Sequence, residues 1–280
     1  MCVTCGCSVS EPEHTHSHAH GQDQAHSHDH SHSHDHSHGH SHPLVRGTSA
    51  RVETLRFERS LLAKNQRLAD ANRAWLAARQ SVAFNMMGSP GAGKTAVLEG
   101  LARHAPDLSL LVVEGDQATE RDAERIRQAG CRAIQINTGT GCHLEAHAVA
   151  HGLEALAPEP GSRIVFENVG NLVCPALFDL GESARIVVLS VTEGDDKPLK
   201  YPHMFRSCQA LILNKIDLLP YVNFDVSRAL AYAKEQNPEL VPFQVSATRG
   251  DGLAELCSWL RSVPPLGARE SEPAARGAHP

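Results

Sequence analysis

Residues 88–95 read GSPGAGKT, a match to G-x-x-x-x-G-K-[ST]. Gly88, Gly91 and Gly93, with Ser89 and Ala92 between them, allow backbone N–H groups to turn inward as a nest for phosphate oxygens. A helix starting just after the loop adds the positive end of its dipole. Lys94 then carries a charge to the β and γ phosphates of a nucleotide, and the Thr95 hydroxyl ligates Mg²⁺. A bare Gly-rich turn is the alternative. Against it, an apolar run, SVAFNMM, precedes the loop and a helix-like segment, TAVLEGLARH, comes after it, as the motif requires.

Two later stretches bear on the base: NKID at 214–217 and SAT at 246–248. Guanine presents N1–H and an exocyclic amine side by side, and the Asp217 carboxylate can accept both. Adenine has no such pair, and a site built on that edge rejects a base lacking it by about 10⁴ or more. Asn214, Lys215, Asp217, Ser246 and Ala247 are therefore expected to hold GTP or GDP. Two further runs end in carboxylates, Glu114 and Asp116 in LLVVEGD and Glu167 in RIVFEN. Lys94, Asp116 and Glu167 are the expected catalytic groups, with Thr95, Asp116 and Glu167 around Mg²⁺. ENVG at 167–170 stands where GTPases carry a DxxG switch, and no nearby glutamine offers itself to orient water. Slow intrinsic hydrolysis is the expectation.

A second chemistry is written in thiols and imidazoles. Cys142 and His143 are adjacent in NTGTGCH, and Cys174 stands seven residues after Glu167. This donor set suits Zn²⁺ or Ni²⁺, and three ligands leave a tetrahedral site open, so a second copy across a two-fold axis could complete it. Because Cys174 lies on the segment expected to respond to the γ phosphate, nucleotide and metal affinity should be coupled. MCVTCGC adds Cys2, Cys5 and Cys7, three thiolates that with a backbone or terminal nitrogen suit square-planar Ni²⁺, or with a fourth thiolate or imidazole suit tetrahedral Zn²⁺. Between them and the globular part, His26, His28, His30, His32, His34, His36, His38, His40 and His42 alternate with Ser, Asp and Gly. Mostly neutral at pH 7, they are expected to hold several Ni²⁺ or Zn²⁺ ions weakly and to lose them as pH falls below about 6.

The elements that must position these groups can be read from composition. From His14 to His42 there are 13 of the 19 histidines and no Leu, Ile, Val, Phe, Trp or Tyr. Nothing there repays an ordering entropy of about 1 to 2 kcal/mol per residue. Residues 1–43 are expected to be a disordered metal-binding segment, 44–266 one globular domain and 267–280 a disordered tail. Within the domain, Val52 to Gln80 has apolar pairs at Leu61/Leu62, Leu68/Ala69 and Trp75/Leu76, the mark of an amphipathic helix. Seven short apolar runs come next, mostly separated by helix-like segments, which predicts an α/β fold: a mostly parallel sheet with helices on both faces. Ligands of such sheets sit beyond the carboxyl ends of the strands, where every motif above falls.

Other classes are disfavoured. A net charge of −6 leaves no basic footprint for nucleic acid. No run reaches the length of a membrane span, and no apolar stretch near Met1 suggests a secretory signal. Eight cysteines, three of them within the first seven residues, then read as ligands in a reducing cytoplasm rather than as a disulfide framework.

Taken together, MCVTCGC, the His-rich tail, GSPGAGKT, TGTGCH, FENVGNLVCPALFDLGE, DDKPLKYP and NKID resemble the HypB family, the nickel-insertion GTPases of [NiFe]-hydrogenase maturation. The resemblance runs over essentially the whole chain. It implies a P-loop GTPase of the SIMIBI class that forms a homodimer when GTP is bound. It matches Cys2, Cys5 and Cys7 to a tight nickel site, and Cys142, His143 and Cys174 to a zinc or nickel site near the dimer interface. Lys197 to Pro202 match a loop near the base. The implied partners are a HypA-type metallochaperone and the hydrogenase large-subunit precursor. The urease nickel GTPases share the fold but carry Cys-Pro-His where this chain has Cys142-His143. A metal-storage protein with a regulatory nucleotide domain is the alternative from another class.

Overall fold

The computed structural model describes residues 46–116, 120–139 and 141–266, with side chains from Arg59 onward. The chain forms two compact units, 1–58 and 59–280. Of the first, only the helical backbone from Arg46 is described. The second holds the whole sheet.

Seven strands form that sheet, and every neighbouring pair is parallel. They are β1 (Val82–Gly88), β2 (Leu111–Asp116), β3 (Arg132–Asn137), β4 (Arg163–Glu167), β5 (Ala184–Ser190), β6 (Ala210–Asn214) and β7 (Val241–Val245), in spatial order 3-2-4-1-5-6-7. Each of the seven apolar runs has become a strand. β1, at the centre, is buried at every residue, whereas edge strand β7 alternates. That contrast is what helices on both faces impose on central strands.

The helices are α1 (Arg46–Ala78), α2 (Lys94–His104), α3 (Arg121–Gln128), α4 (Ala146–Leu156), α5 (Cys174–Leu177), α6 (Lys197–Lys200), α7 (Pro202–Ser207), α8 (Val226–Gln236) and α9 (Leu253–Ser262). Phe84 and Met86 pack with Leu98 of α2 and Leu256 of α9, while Ala83 and Phe166 pack with Leu76 of α1 and Leu153 of α4. Met87 and Val187 face Phe205 of α7. None of the described helices is long and apolar enough to cross a membrane.

Helix α1 is present, and its buried line matches the expected one in part: Ala69 and Leu76 are buried, Leu68 and Trp75 half-buried. Leu61 and Leu62 are each 38% exposed, while Asn65, Ala69, Asn72 and Leu76 are buried. Hydrogen bonding is the reason. The Asn65 amide donates to Asp179 O (2.7 Å) and accepts from Ala146 N (2.9 Å). The Asn72 amide donates to Ala146 O (2.8 Å) and Leu180 O (3.0 Å). Two asparagines thus hold the first residue of α4 and the segment after α5, the chain just beyond Cys142-His143 and just beyond Cys174. Asn72→Ala would leave two buried carbonyls short of a donor, at about 1 to 3 kcal/mol each when unsatisfied. We expect a loss of about 2 kcal/mol, read as a lower urea midpoint at unchanged slope; an unchanged midpoint would mean the clasp carries no stability.

Candidate nucleotide and metal site

The carboxyl ends of β1, β2, β4 and β6 meet at one edge, and a cleft of about 450 Å³ opens there between the loop after β1, Glu114 and Asp116 of β2, and Glu167 to Gly170 after β4. Gly93 sits at φ 93°, and a Cβ on it would lie 2.4 Å from Asn214 Nδ2, so only glycine lets the loop close onto the end of β6. Asn214 completes that contact: its amide donates to Ala92 O at 3.0 Å and accepts from Ala247 N at 3.3 Å. Lys215 Nζ donates to Gly91 O at 2.7 Å. The Ser246 hydroxyl donates to Asp217 Oδ1 at 2.6 Å, fixing the carboxylate that the sequence pattern expects at the base. The glycine-rich loop is bonded directly to Asn214 and Lys215, and through Asn214 to Ala247.

Lys94 is buried, with Nζ 3.4 Å from Gly88 O and 3.5 Å from Ser89 O. Burial lowers its pKa, and the charge of Glu167 opposes the shift. Thr95 Oγ1 donates to Glu167 Oε1 at 2.8 Å. The second oxygens, Glu167 Oε2 and Glu114 Oε2, are buried with no hydrogen-bond partner among the described residues. Unsatisfied carboxylate oxygens beside a threonine hydroxyl are a hard-oxygen donor set that fits Mg²⁺. Burial raises Glu167 to about 7, against the pull of Lys94 and Thr95. Burial and the facing charges of Glu167 and Asp116 raise Glu114 to about 8. Asp116 ends β2 in the same cleft.

These shifts set a pH dependence. Both carboxyls keep protons in the folded chain that a free glutamate has lost, so the folded state binds more protons than the unfolded one between about pH 4.5 and 8. Stability contributed by the protonated forms is complete below the unfolded pKa and is lost as pH rises through the folded values. The Tm of the nucleotide-free chain should fall across that window. Glu114→Gln should flatten the fall and be the more stable form above about pH 7; parallel curves for the two proteins would refute the assignment.

At the neighbouring strand end, one donor atom each from Cys142, His143 and Cys174 lie within 4.8 Å of one another. Cys142 and His143 occupy the loop between β3 and α4, and Cys174 begins α5. Cys142 Sγ is 3.6 Å from His143 Nδ1, while His143 Nε2 is buried with no hydrogen-bond partner among the described residues. The ring stacks on Phe178 at 3.8 Å between centroids. Burial lowers the His143 pKa, with Glu145 opposing, which keeps the ring neutral and able to ligate. Ligands about 2.0 to 2.3 Å from a common tetrahedral ion stand about 3.3 to 3.8 Å apart, so these atoms need draw together by only about 1 Å to share one.

The residue pattern alone gave no role to Asn168, which joins the two sites. Its Oδ1 accepts from Leu144 N (2.9 Å), next to His143, and its amide donates to Asn85 Oδ1 (3.2 Å). Asn85 in turn donates to Glu182 Oε1 (3.3 Å), whose other oxygen accepts from Leu180 N (2.7 Å). The available signal was Asn85 itself, a lone amide inside the buried run SVAFNMM. Lys197 to Pro202 form short α6 and the start of α7. Cys2, Cys5, Cys7 and the histidines from His26 to His42 lie outside the described residues.

A parallel sheet with a glycine-rich loop after its central strand, an Asn-Lys-x-Asp stretch bonded to that loop and a carboxylate facing the loop threonine defines the P-loop GTPase fold, in its SIMIBI class. Residues 82–243 match the family described as CobW/HypB/UreG, nucleotide-binding domain. The chain is 52% identical over 207 residues to the hydrogenase maturation factor HypB of Rhizobium leguminosarum bv. viciae, covering 74% of this chain and 69% of that one. It is 51% identical over 209 residues to HypB of Escherichia coli K12, covering 74% and 72%. Its structure resembles that of HypB from Helicobacter pylori in complex with nickel, with a TM-score of 0.68 and 40% identity over 71% of this chain and 94% of that one. HypB from Archaeoglobus fulgidus gives 0.67 and 39%, over 71% and 98%. The chain belongs to the HypB family of hydrogenase maturation factors.

Proposed function

We propose that the protein is a GTP-hydrolysing nickel metallochaperone that stores Ni²⁺ and delivers it to the precursor of a [NiFe]-hydrogenase large subunit, with a HypA-type metallochaperone as a second partner. One observation carries the coupling. Glu167 and Asn168 are consecutive, yet Glu167 accepts from Thr95 in the phosphate loop and Asn168 accepts from Leu144 beside the metal ligands. A displacement at the γ phosphate therefore reaches the thiolate site within one residue. The nickel complex of the Helicobacter pylori relative supports the choice of metal.

In this reading residues 1–43 hold metal through Cys2, Cys5, Cys7 and the alternating histidines, residues 44–266 are the GTPase domain and 267–280 a tail. Gly88 to Thr95 bind the phosphates, and Asp217 with Asn214, Lys215, Ser246 and Ala247 holds guanine. Thr95, Asp116 and Glu167 would hold Mg²⁺, which would supply positive charge to the phosphates. Lys94 stabilises charge on the transferring phosphoryl group. No glutamine stands in ENVG to orient water, so turnover by a monomer is slow. Pairing of two GTP-bound copies would bring two three-ligand sets together, completing a shell that Cys142, His143 and Cys174 leave open.

The test is Ni²⁺ affinity measured with GDP and with a non-hydrolysable GTP analogue, together with oligomeric state. We expect affinities differing by about 5-fold to 150-fold, the usual range of such couplings, and loss of that difference in Asn168→Ala. Equal affinities in the two wild-type states would overturn the proposal.

A further inference from the structure

Helix α4 carries His147 and His151 one turn apart on its exposed side. Their Nε2 atoms stand 3.1 Å apart, with the rings edge to face at 88° and centroids separated by 4.5 Å. Two imidazole nitrogens about 2.0 to 2.1 Å from a common ion and 3.1 Å from each other subtend about 95 to 100° at that ion. This lies between octahedral and tetrahedral values, so neither ring need move far to chelate. One turn further on, Glu154 Oε2 is 3.6 Å from His151 Nδ1. That distance is too long for a hydrogen bond, yet the negative charge behind the far nitrogen favours the Nδ1–H form of His151 and leaves its Nε2 lone pair as a ligand; closing by about 0.5 Å would give the outer-shell hydrogen bond of a metal-bound histidine. The His151 and Glu154 side chains are 64% and 77% exposed, so an ion reaches them directly from solvent.

We propose that His147 and His151 form a bidentate site for a borderline divalent cation such as Ni²⁺, Zn²⁺ or Cu²⁺, oriented by Glu154 and built from residues other than the thiolate set. In the metal-free pair, one Nε2–H donates to the other Nε2. With His151 carrying its proton on Nδ1, the donor is His147, which moves its proton from Nε2 to Nδ1 as the ion enters. Both nitrogens then ligate and no net proton is released. Water fills the remaining positions, which makes the ion quick to exchange. Because α4 starts three residues after His143, the pair provides an exposed landing point close in the chain to half-buried Cys142 and His143. Imidazole nitrogen selects this class of ion over hard Mg²⁺ or Ca²⁺.

The test uses the full chain, with free Ni²⁺ fixed by a chelating buffer so that ions held elsewhere do not matter. Diethyl pyrocarbonate labels unprotonated imidazole nitrogens, and peptide mass spectrometry reads each histidine separately, with exposed His104 and His203 as internal references. Protection of His147 and His151 should appear together at one free Ni²⁺ concentration and not with Mg²⁺. His151→Ala should raise the concentration that protects His147 by about tenfold or more, since the chelating partner is lost. Glu154→Gln should raise it for both by about tenfold. All three residues are on the surface, so the variants should fold. Unchanged labelling of both residues at millimolar free Ni²⁺, or protection of His147 that is indifferent to His151→Ala, would overturn the site.

Discussion

Asp217→Asn is expected to lower GTP affinity by at least about 10³-fold and to give the protein a preference for xanthosine triphosphate. The reason lies in donors and acceptors. The carboxylate accepts from guanine N1–H and from the exocyclic amine, whereas an asparagine amide of the same size faces the amine with a second donor. A buried polar group left without its partner accounts for discrimination of about 10⁴ to 10⁵ in sites of this kind. Xanthine carries an oxygen where guanine carries the amine, so the amide of the variant can donate to it. The Ser246 hydroxyl, 2.6 Å from Asp217 Oδ1, can donate equally to an asparagine oxygen, which holds the new side chain in the old plane. Binding of both nucleotides by calorimetry decides the matter. GTP binding retained at wild-type strength would remove Asp217 from the base site; loss of GTP without any gain for xanthosine triphosphate would point to a damaged loop.

The second large effect is on metal. Cys174→Ser should weaken Ni²⁺ or Zn²⁺ binding at the Cys142-His143-Cys174 group by more than about 100-fold. Losing an outer-shell partner already costs about 10-fold to 100-fold, and here a ligating thiolate is exchanged for a hydroxyl that stays protonated near neutral pH. Cys174 is buried and opens α5, so serine occupies nearly the same volume there. Circular dichroism should be unchanged, and nucleotide binding in the absence of metal should be retained. Any ions held by residues 1–43 are common to both proteins when the measurement compares two chains that differ only at position 174. An identical tight component in both would remove this cysteine from the site. Reciprocity demands a further result: in the variant, metal should no longer alter GTP affinity.

Much of this molecule is legible in its sequence because the relevant signals are local. GSPGAGKT carries its own strand, turn and helix, and the seven apolar runs became seven strands because a strand covered on both faces leaves few polar positions to obscure it. The grouping of Cys142, His143 and Cys174 was also within reach, since parallel strands bring the residues after β3 and β4 to the same edge. The buried face of α1 was legible only in part, at Ala69 and Leu76. Leu61 and Leu62 gave an apolar stripe, yet the face is set by Asn65 and Asn72, whose value depends on carbonyls more than 70 residues away. No periodicity encodes a hydrogen bond at that separation. Asn168 escaped for a related cause: its role comes from Leu144 on one side and Asn85 on the other, and neither pairing leaves a trace in spacing.

The line from Leu144 through Asn168 and Asn85 to Glu182 has a built-in direction. It begins at a backbone N–H, which can only give a proton, and ends at a carboxylate that accepts from Asn85 Nδ2 and Arg185 Nε. With both ends fixed, each amide between them has a single orientation that satisfies its neighbours; turning either or both sets donor against donor at Leu144 or acceptor against acceptor at Glu182. The line therefore has one satisfied setting. Those two amides act as a latch: the Leu144 N–H, one residue beyond His143, cannot leave its place without unseating Asn168, the residue that follows Glu167.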